Sequence, residues 1–219
     1  MKALYSIALL ITFSLSAKAQ SDKYVKAMEA KVSTIDKVNS LAGWQELANS
    51  FERIADAEKT QWLPYYYAAM SNVMMGYITS GGQQDAASTT QLDQVADKAE
   101  ALLNKAEELE KDNSDIYCVR KMINTLKMMP DPMTRYQTYG AKAAEALARA
   151  KSLDPSNPRV YMLEAQDKFY TPEQFGGSKT EAKTLFETAL KKFDEYKPKS
   201  SIHPSWGKSQ VEYFLSQIK

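Results

Sequence analysis

The chain has 219 residues, of which 44% are hydrophobic and 25% are charged, a balance typical of a folded globular domain. Its 28 basic and 27 acidic residues give a formal net charge of +1. Nucleic acids and anionic membrane surfaces are bound by broad positive fields, so this neutral composition argues against both as partners.

The first 20 residues, MKALYSIALLITFSLSAKAQ, have the three parts of a secretory signal peptide. Lys2 precedes an apolar run that ends near Leu15, and Ala17-Lys18-Ala19 has the A-x-A pattern of a cleavage site. The run is shorter than the roughly 20 residues that a membrane span needs. We therefore expect cleavage after Ala19 and an exported mature chain, periplasmic or secreted, with no stable membrane insertion. The single cysteine, Cys118, lies far from this site, which argues against a lipoprotein.

Apolar residues then recur at helical spacing along almost the whole chain, beginning with Val25, Met28 and Val32. After two helices in residues 25–57, the pattern predicts helices over 62–79, 91–111, 114–128, 134–153, 158–170, 178–195 and 204–218. No stretch alternates apolar and polar residues long enough to predict a strand. The breaks at 79–90, 129–133, 171–179 and 197–205 are too short for interdomain linkers. The sequence therefore predicts one all-α domain, residues 20–219, with about nine helices.

A spacing of small, large and small residues, four and then three apart, recurs along these helices. The copies are Ala99, Leu103 and Ala106; Ala143, Leu147 and Ala150; Ala182, Phe186 and Ala189; and a weaker Ser50, Ile54 and Ala57. Small residues let a neighbouring helix approach closely, and the large residue fills the space between them. A helix pair of this kind leaves an apolar face open, so it must stack on another pair.

This pattern resembles the tetratricopeptide repeat (TPR) family, which places Pro five residues after the last small residue, as Pro155 follows Ala150. Tyr161 and Ala165 fit the next helix, and Trp206 and Tyr213 keep the family's W…Y spacing in the last one. The copies end 49, 44 and 39 residues apart, at residues 57, 106, 150 and 189, whereas a regular repeat has about 34. The resemblance implies an all-α, TPR-like α-solenoid of about four antiparallel helix pairs with lengthened internal loops, closed by a C-terminal capping helix.

The loop TPEQFGGSK (171–179) resembles a P-x-x-F-G-G loop of some exported TPR-like proteins. Some proteins of that kind are associated with periplasmic solute uptake, so the resemblance implies a ligand-linked or transporter-linked role as an alternative. We expect Phe175 in this loop to tuck into the core.

Residues that often carry chemistry lack the partners they would need. His203 is the only histidine and has no acidic residue near it in sequence, and Cys118 lies within an apolar helical stretch. Gly81-Gly82 and Gly176-Gly177 lack the spacing of a phosphate-binding loop. The acidic residues of 105–115 lack the calcium-loop pattern. We therefore predict no catalytic residues, metal or cofactor, and a protein that is not an enzyme.

A TPR-like stack presents a concave groove lined by the first helix of each pair. The residues that we expect to face this groove are Tyr66, Tyr67, Asp115, Met122, Arg159, Met162 and Gln166. Because three consecutive tyrosines must point around a helix, at least one of Tyr65, Tyr66 and Tyr67 should face away from the core.

Three functions remain open at this stage. The first is a non-catalytic exported scaffold that binds a protein or peptide in the groove. The alternative is a periplasmic small-molecule-binding component of a solute-uptake system, which predicts a deep apolar pocket with a few polar groups. An enzyme ranks last, because it would need a cluster of perturbed acids or bases that the spacing does not show.

Overall fold

The computed structural model describes residues 22–81 and 86–218, and the regular structure in these ranges is helical, with no strand. The predicted signal peptide lies outside the described residues. The helices are α1 (22–32), α2 (Leu41–Glu58), α3 (Trp62–Ser80), α4 (Ala86–Leu109), α5 (Ser114–Met128), α6 (Pro132–Arg135), α7 (Ala141–Leu153), α8 (Pro158–Tyr170), α9 (Lys179–Glu195) and α10 (Lys208–Gln217). The predicted all-α class is confirmed.

Asparagine side chains begin the helices that follow two of the corners. Asn113 accepts hydrogen bonds from the backbone amides of Asp115 and Ile116, and Asn157 accepts one from Arg159. These bonds satisfy amides that have no partner inside the first turn of α5 or α8. Pro158 occupies the first position of α8, where a missing amide hydrogen has no cost. The DPSNP stretch at 154–158 is therefore a true helix-to-helix corner.

The helices pack as a stack of antiparallel neighbours. Helix α3 packs between α2 and α4, while α5 packs on α7 and α8 packs on α9. Helices α3, α5 and α8 also contact one another in that order and are called the inner helices below. Among the described residues, no helix is both long enough and apolar enough to cross a membrane.

The small residues of the repeat lie where the helices approach most closely. In α4 and α9, all three members are buried: Ala99, Leu103 and Ala106, and Ala182, Phe186 and Ala189. In α7 the two alanines, Ala143 and Ala150, are buried, whereas Leu147 is half-buried. The recurring spacing therefore identified the packed face of these three helices.

The weaker copy in α2 was assigned to the wrong register. Ala57 is exposed, whereas Ala48 and Ala55 are buried and keep the seven-residue separation of the other copies. Glu52 stands between them in the position of the large apolar residue, and its carboxylate pairs with Lys98 Nζ of α4 at 2.7 Å. Because a charged residue takes the place of the large apolar one, the apolar pattern does not reveal this copy.

The predicted helices differ most from the structure at three places. The predicted helix 134–153 is divided into α6, a π-helical segment (Tyr136–Gly140) and α7. Helix α4 already includes Ala86, five residues before its predicted start, since two alanines precede the polar S-T-T run. Helix α10 begins at Lys208 rather than at residue 204, after Gly207 with a left-handed φ of 112°. Trp206 therefore lies before the last helix, and the expected W…Y pair does not share one helix.

The role of the small residues can be tested by enlarging one of them. We expect Ala106→Leu to lower the free energy of unfolding by about 1–3 kcal/mol, because the neighbouring helix leaves no space for the added carbons. Ala101→Leu, on the exposed side of the same helix, should change it by less than about 0.5 kcal/mol. Urea denaturation measures both, and equal losses in the two variants would contradict the packing described here.

Candidate functional site

The seven residues predicted to line a partner groove all lie on the inner helices: Tyr66 and Tyr67 on α3, Asp115 and Met122 on α5, and Arg159, Met162 and Gln166 on α8. Asp115 and Gln166 are partly exposed, whereas the other five are buried. A partner that docks on the surface does not reach those five side chains in this structure. Their use as partner contacts stays a prediction.

The expectation that one of the three consecutive tyrosines faces away from the core is wrong. Tyr65 is 8% exposed, and Tyr66 and Tyr67 are fully buried. The Tyr65 hydroxyl donates to the carbonyl of Ala55, and the Tyr67 ring stacks on Phe51 with centroids 5.0 Å apart. Helix α3 is buried around most of its circumference because α2, α4, α5 and a covering segment of the chain surround it.

The covering segment connects α9 to α10 and consists of residues 196–207, called the strap below. The Tyr67 hydroxyl donates to the carbonyl of Ile202 (3.0 Å), and the Trp206 indole donates to the Tyr66 hydroxyl (2.9 Å). At its other edge, the Ser201 hydroxyl donates to the Glu29 carboxylate of α1 (2.6 Å). The strap thus lies across the start of the inner helices and closes one end of the predicted groove.

Arg159 joins the strap to the repeat corners although its side chain is fully buried. Its guanidinium donates to the Pro204 carbonyl and to the Tyr196 hydroxyl (3.2 Å), and it lies over the rings of Tyr196 (4.8 Å) and Trp206 (5.5 Å). Its charge faces Asp115 of α5, with Nε 3.1 Å from the carboxylate. Burial lowers the pKa of Arg159, but Asp115 and nearby tyrosines outweigh that and raise it above its ordinary value. The arginine therefore stays charged inside the protein.

The hydrogen bonds of this guanidinium are incomplete. Nη1 and Nε have no hydrogen-bond acceptor among the described residues; the Nε–Asp115 pair is close enough for an ion pair but lacks hydrogen-bond geometry. Asp115 is held at the same time by the Asn157 amide, which donates to it at 2.8 Å. A buried charge with one carboxylate and two flanking rings depends strongly on each of them.

A polar cleft of about 510 Å³ lies beside this network. Its wall includes Asp115 and Tyr196, together with Lys192, Lys197 and Lys199. Further carboxylates line it as well, so the wall mixes both signs of charge. Among the described residues, no cluster of three or more His, Cys, Asp or Glu side chains could hold a metal ion. The cleft is therefore unlike the deep apolar pocket expected of a small-molecule site.

His203 and Cys118 belong to the residue types most often used in catalysis, but neither has the partners that a reactive group needs. His203 of the strap lines the cleft, and burial, followed by the charge of Lys199, lowers the pKa of its imidazole from its ordinary value. Its Nδ1 lies 2.8 Å from the Ser200 hydroxyl. Cys118 is fully buried, and burial raises the pKa of its thiol. The thiol therefore stays protonated and behaves as a small apolar side chain.

A second candidate region, the aromatic face, is formed by Phe169 and Tyr170 at the end of α8 and by Tyr213 and Phe214 of α10. Tyr170 is 69% exposed and Tyr213 is 61% exposed. Both rings contact Phe214, with centroid distances of 5.8 and 5.7 Å, and Phe214 stacks on the buried Phe186 at 4.9 Å. Two exposed rings thus rest on a rigid aromatic base, and large exposed apolar groups of this kind mark binding surfaces.

Cationic and apolar groups flank the aromatic face. Lys179 Nζ lies 3.1 Å from the centre of the Phe169 ring and donates to the Phe169 carbonyl (2.8 Å). In the adjoining turn, Phe175 is 67% exposed, so the expectation that it tucks into the core is wrong. The turn is fixed instead by its backbone, since the Ser178 amide donates to the Lys168 carbonyl (2.9 Å).

The sequence prediction missed the aromatic face. Its residues form two aromatic pairs, Phe169-Tyr170 and Tyr213-Phe214, and Tyr170 and Tyr213 are 43 positions apart in the chain. Each pair alone looks like ordinary core packing at a helical position. The position of the first pair is nevertheless informative. Phe169 and Tyr170 lie in the last turn of α8, beside a turn that contains Pro and Gly. Aromatic residues at such a place have few helical neighbours to cover them.

The buried ion pair gives a prediction about stability. We expect Asp115→Asn to lower the free energy of unfolding by about 3 kcal/mol, because Arg159 would lose its counter-charge while it stays buried. The double variant Asp115→Asn with Arg159→Met should recover part of that loss. Asp112→Asn, in an exposed pair with Arg149, is the matched control and should change little. Chemical denaturation measures the free energy of unfolding of Asp115→Asn, Arg159→Met, the double variant and the control. A loss in the double variant that exceeds the summed losses of the two single variants would contradict the pairing.

Comparison with known proteins places this arrangement in a family. No protein-family profile and no curated protein matches the chain, so membership of the TPR family stays a prediction. Among solved structures, the HusA haemophore from Porphyromonas gingivalis is similar, with a TM-score of 0.76 and 33% sequence identity. The alignment covers 90% of this chain and 92% of that one, which leaves no large part of either fold unmatched. The chain therefore belongs to the same protein family as the HusA haemophore.

Proposed function

We propose that this protein is an exported, non-catalytic binder of haem or a related tetrapyrrole that serves solute uptake. The observation that carries the proposal is the 33% identity to a haemophore across 90% of the chain. This function falls within the alternative predicted from the sequence, a small-molecule-binding component of an uptake system. We propose that export follows from the signal peptide predicted for residues 1–19.

We assign binding to the aromatic face because its chemistry fits a tetrapyrrole. The macrocycle is flat, wide and apolar, and Tyr170 and Tyr213 present two exposed rings that both contact Phe214. Stacking on such rings adds about 0.5–1.5 kcal/mol for each pair beyond the burial of apolar area. The ammonium group of Lys179 lies over the face of the Phe169 ring and supplies a positive charge for a propionate carboxylate.

The polar cleft fits the same ligand poorly. An apolar macrocycle in the cleft would strip water from the carboxylates and lysines of the wall without replacing their hydrogen bonds. Two further carboxylates of the wall, Glu110 and Glu195, would repel the propionates. The imidazole of His203 offers one iron ligand there, which does not offset the loss of hydration at several charges.

Haem titration followed by absorbance tests the aromatic face. We expect Tyr170→Ala and Tyr213→Ala each to weaken haem binding roughly tenfold, because each removes one stacked ring and its buried area. Tyr136→Ala is the matched control, since Tyr136 is 66% exposed but lies in the π-helical segment between α6 and α7, and it should bind haem like the unaltered protein. Normal affinity in both Tyr170→Ala and Tyr213→Ala would contradict the site.

Three further variants separate the contribution of the rings from other ways of binding haem. Tyr170→Phe and Tyr213→Phe keep the ring and should keep most of the affinity; a loss as large as that of the alanine variants would show that the hydroxyl groups carry binding. His203→Ala removes the only histidine and should leave the affinity unchanged. A loss of binding in His203→Ala would move the site to the cleft.

A further inference from the structure

Three of the most exposed large apolar side chains lie beside the end of α8. Among the described residues, the large apolar side chains with the highest exposed fractions are Met133, Tyr136, Tyr170, Phe175 and Tyr213. Tyr170 and Tyr213 belong to the aromatic face, and Phe175 lies in the turn 171–178, called the Phe175 turn below, which begins directly after Tyr170. A single exposed apolar residue needs no explanation, whereas a concentration of them marks a binding surface.

Both ends of the Phe175 turn are joined to the aromatic face. The residue that follows the turn, Lys179, holds its ammonium group over the Phe169 ring. The Ser178 amide donates to the Lys168 carbonyl (2.9 Å), so the chain returns to the last turn of α8. Phe175 is three residues from Ser178, and three residues span at most about 11 Å. The backbone of Phe175 is therefore held close to the aromatic face.

The Phe175 turn is also fixed by hydrogen bonds of its own. The amides of Phe175 and Gly177 both donate to the Pro172 carbonyl, at 2.9 and 3.2 Å. The Lys168 ammonium group donates to the Gly176 carbonyl (3.2 Å). The phenyl ring is therefore presented to solvent by an ordered backbone. A ligand that contacts such a ring loses little affinity to the ordering of the chain.

Two glycines make this conformation of the turn possible. Gly176 has a φ of 92°, in the left-handed region that residues with a side chain rarely adopt. A Cβ atom at Gly177 would lie 1.7 Å from the Thr171 carbonyl oxygen, so the turn cannot close in this way with any other residue there. The stretch F-G-G at 175–177 thus keeps an aromatic ring outside the core.

We propose that Phe175 is a further ligand-contacting residue of the tetrapyrrole site, and that Gly177 is a positioning residue that acts through it. This inference rests on the proposed function. The macrocycle has several times the area of a phenol ring, so Tyr170 and Tyr213 leave part of its apolar surface in water. Phe175, held beside the same face, buries a part of that remaining surface.

Haem titration followed by absorbance tests the role of Phe175. We expect Phe175→Ala to weaken haem binding roughly fivefold, because it removes one ring and its buried area. Phe175→Tyr keeps the ring and should bind haem like the unaltered protein. Met133→Ala is the matched control, since Met133 is even more exposed but lies on α6, and it should also bind haem normally. Because neither side chain is buried, all three variants should unfold at the urea concentration of the unaltered protein.

Gly177→Ala tests the positioning role. The added methyl group displaces the turn, so we expect weaker haem binding although Phe175 itself is unaltered. In a protein that already carries Phe175→Ala, the same substitution should weaken binding by less than about twofold, because the ring that it positions is gone. Gly81→Ala is the control, since its methyl group would meet the Ile78 carbonyl oxygen at an ordinary 3.6 Å. Equal losses from Gly177→Ala with and without Phe175 would overturn the positioning role.

The same titrations separate this inference from the proposed function. If Tyr170→Ala weakens haem binding and Phe175→Ala does not, the aromatic face binds haem without Phe175, and the inference is overturned while the proposed function stands. A loss in Phe175→Tyr as large as that in Phe175→Ala would also overturn it, because the ring is then not the contact. If the unaltered protein does not bind haem, the proposed function fails and this inference fails with it.

Discussion

The buried guanidinium of Arg159 is the contact on which the arrangement of this end of the molecule depends. It joins α8 to α5 through Asp115, to the end of α9 through Tyr196, and to the strap through Pro204 and Trp206. A fully buried charge is tolerated only when its surroundings supply charge and polar partners. Because Arg159 meets these parts at one point, removing any of them affects the others.

This contact changes the architecture from an open solenoid to one with a closed end. Stacked helix pairs leave a concave surface along their first helices, and here the chain covers the start of that surface with its own strap. The predicted groove residues Tyr66, Tyr67 and Arg159 are consequently interior residues that hold polypeptide from the same chain. The aromatic face, where Tyr170 at the end of α8 meets Phe214 of α10, stays exposed.

The general architecture could be predicted from the sequence because it depends on local patterns. Helical spacing of apolar residues gave the helices, and pairs of small residues such as Ala99 and Ala106 marked the packed faces. Only α2 was placed in the wrong register, because Glu52 replaces the apolar residue of the pattern and pairs with Lys98 instead. Ion pairs between helices leave no periodic signal in one sequence.

The site could not be predicted in the same way, because it is formed by residues distant in the chain. The burial of Tyr66 and Tyr67 depends on residues 202–206, about 140 positions later, and nothing in either segment indicates the other. The aromatic face likewise needs α8 and α10 to meet. In the loop 171–178, an aromatic residue is expected to anchor the turn in the core, whereas Phe175 is exposed.

We propose that a tetrapyrrole stacks on the aromatic face and leaves the polar cleft empty. An experimentally determined structure of the protein with bound haem tests this proposal. We expect the macrocycle to lie in van der Waals contact with the rings of Tyr170 and Tyr213, with the strap and the Arg159 contacts unchanged. A macrocycle seated in the cleft against His203 and Tyr196 would contradict it.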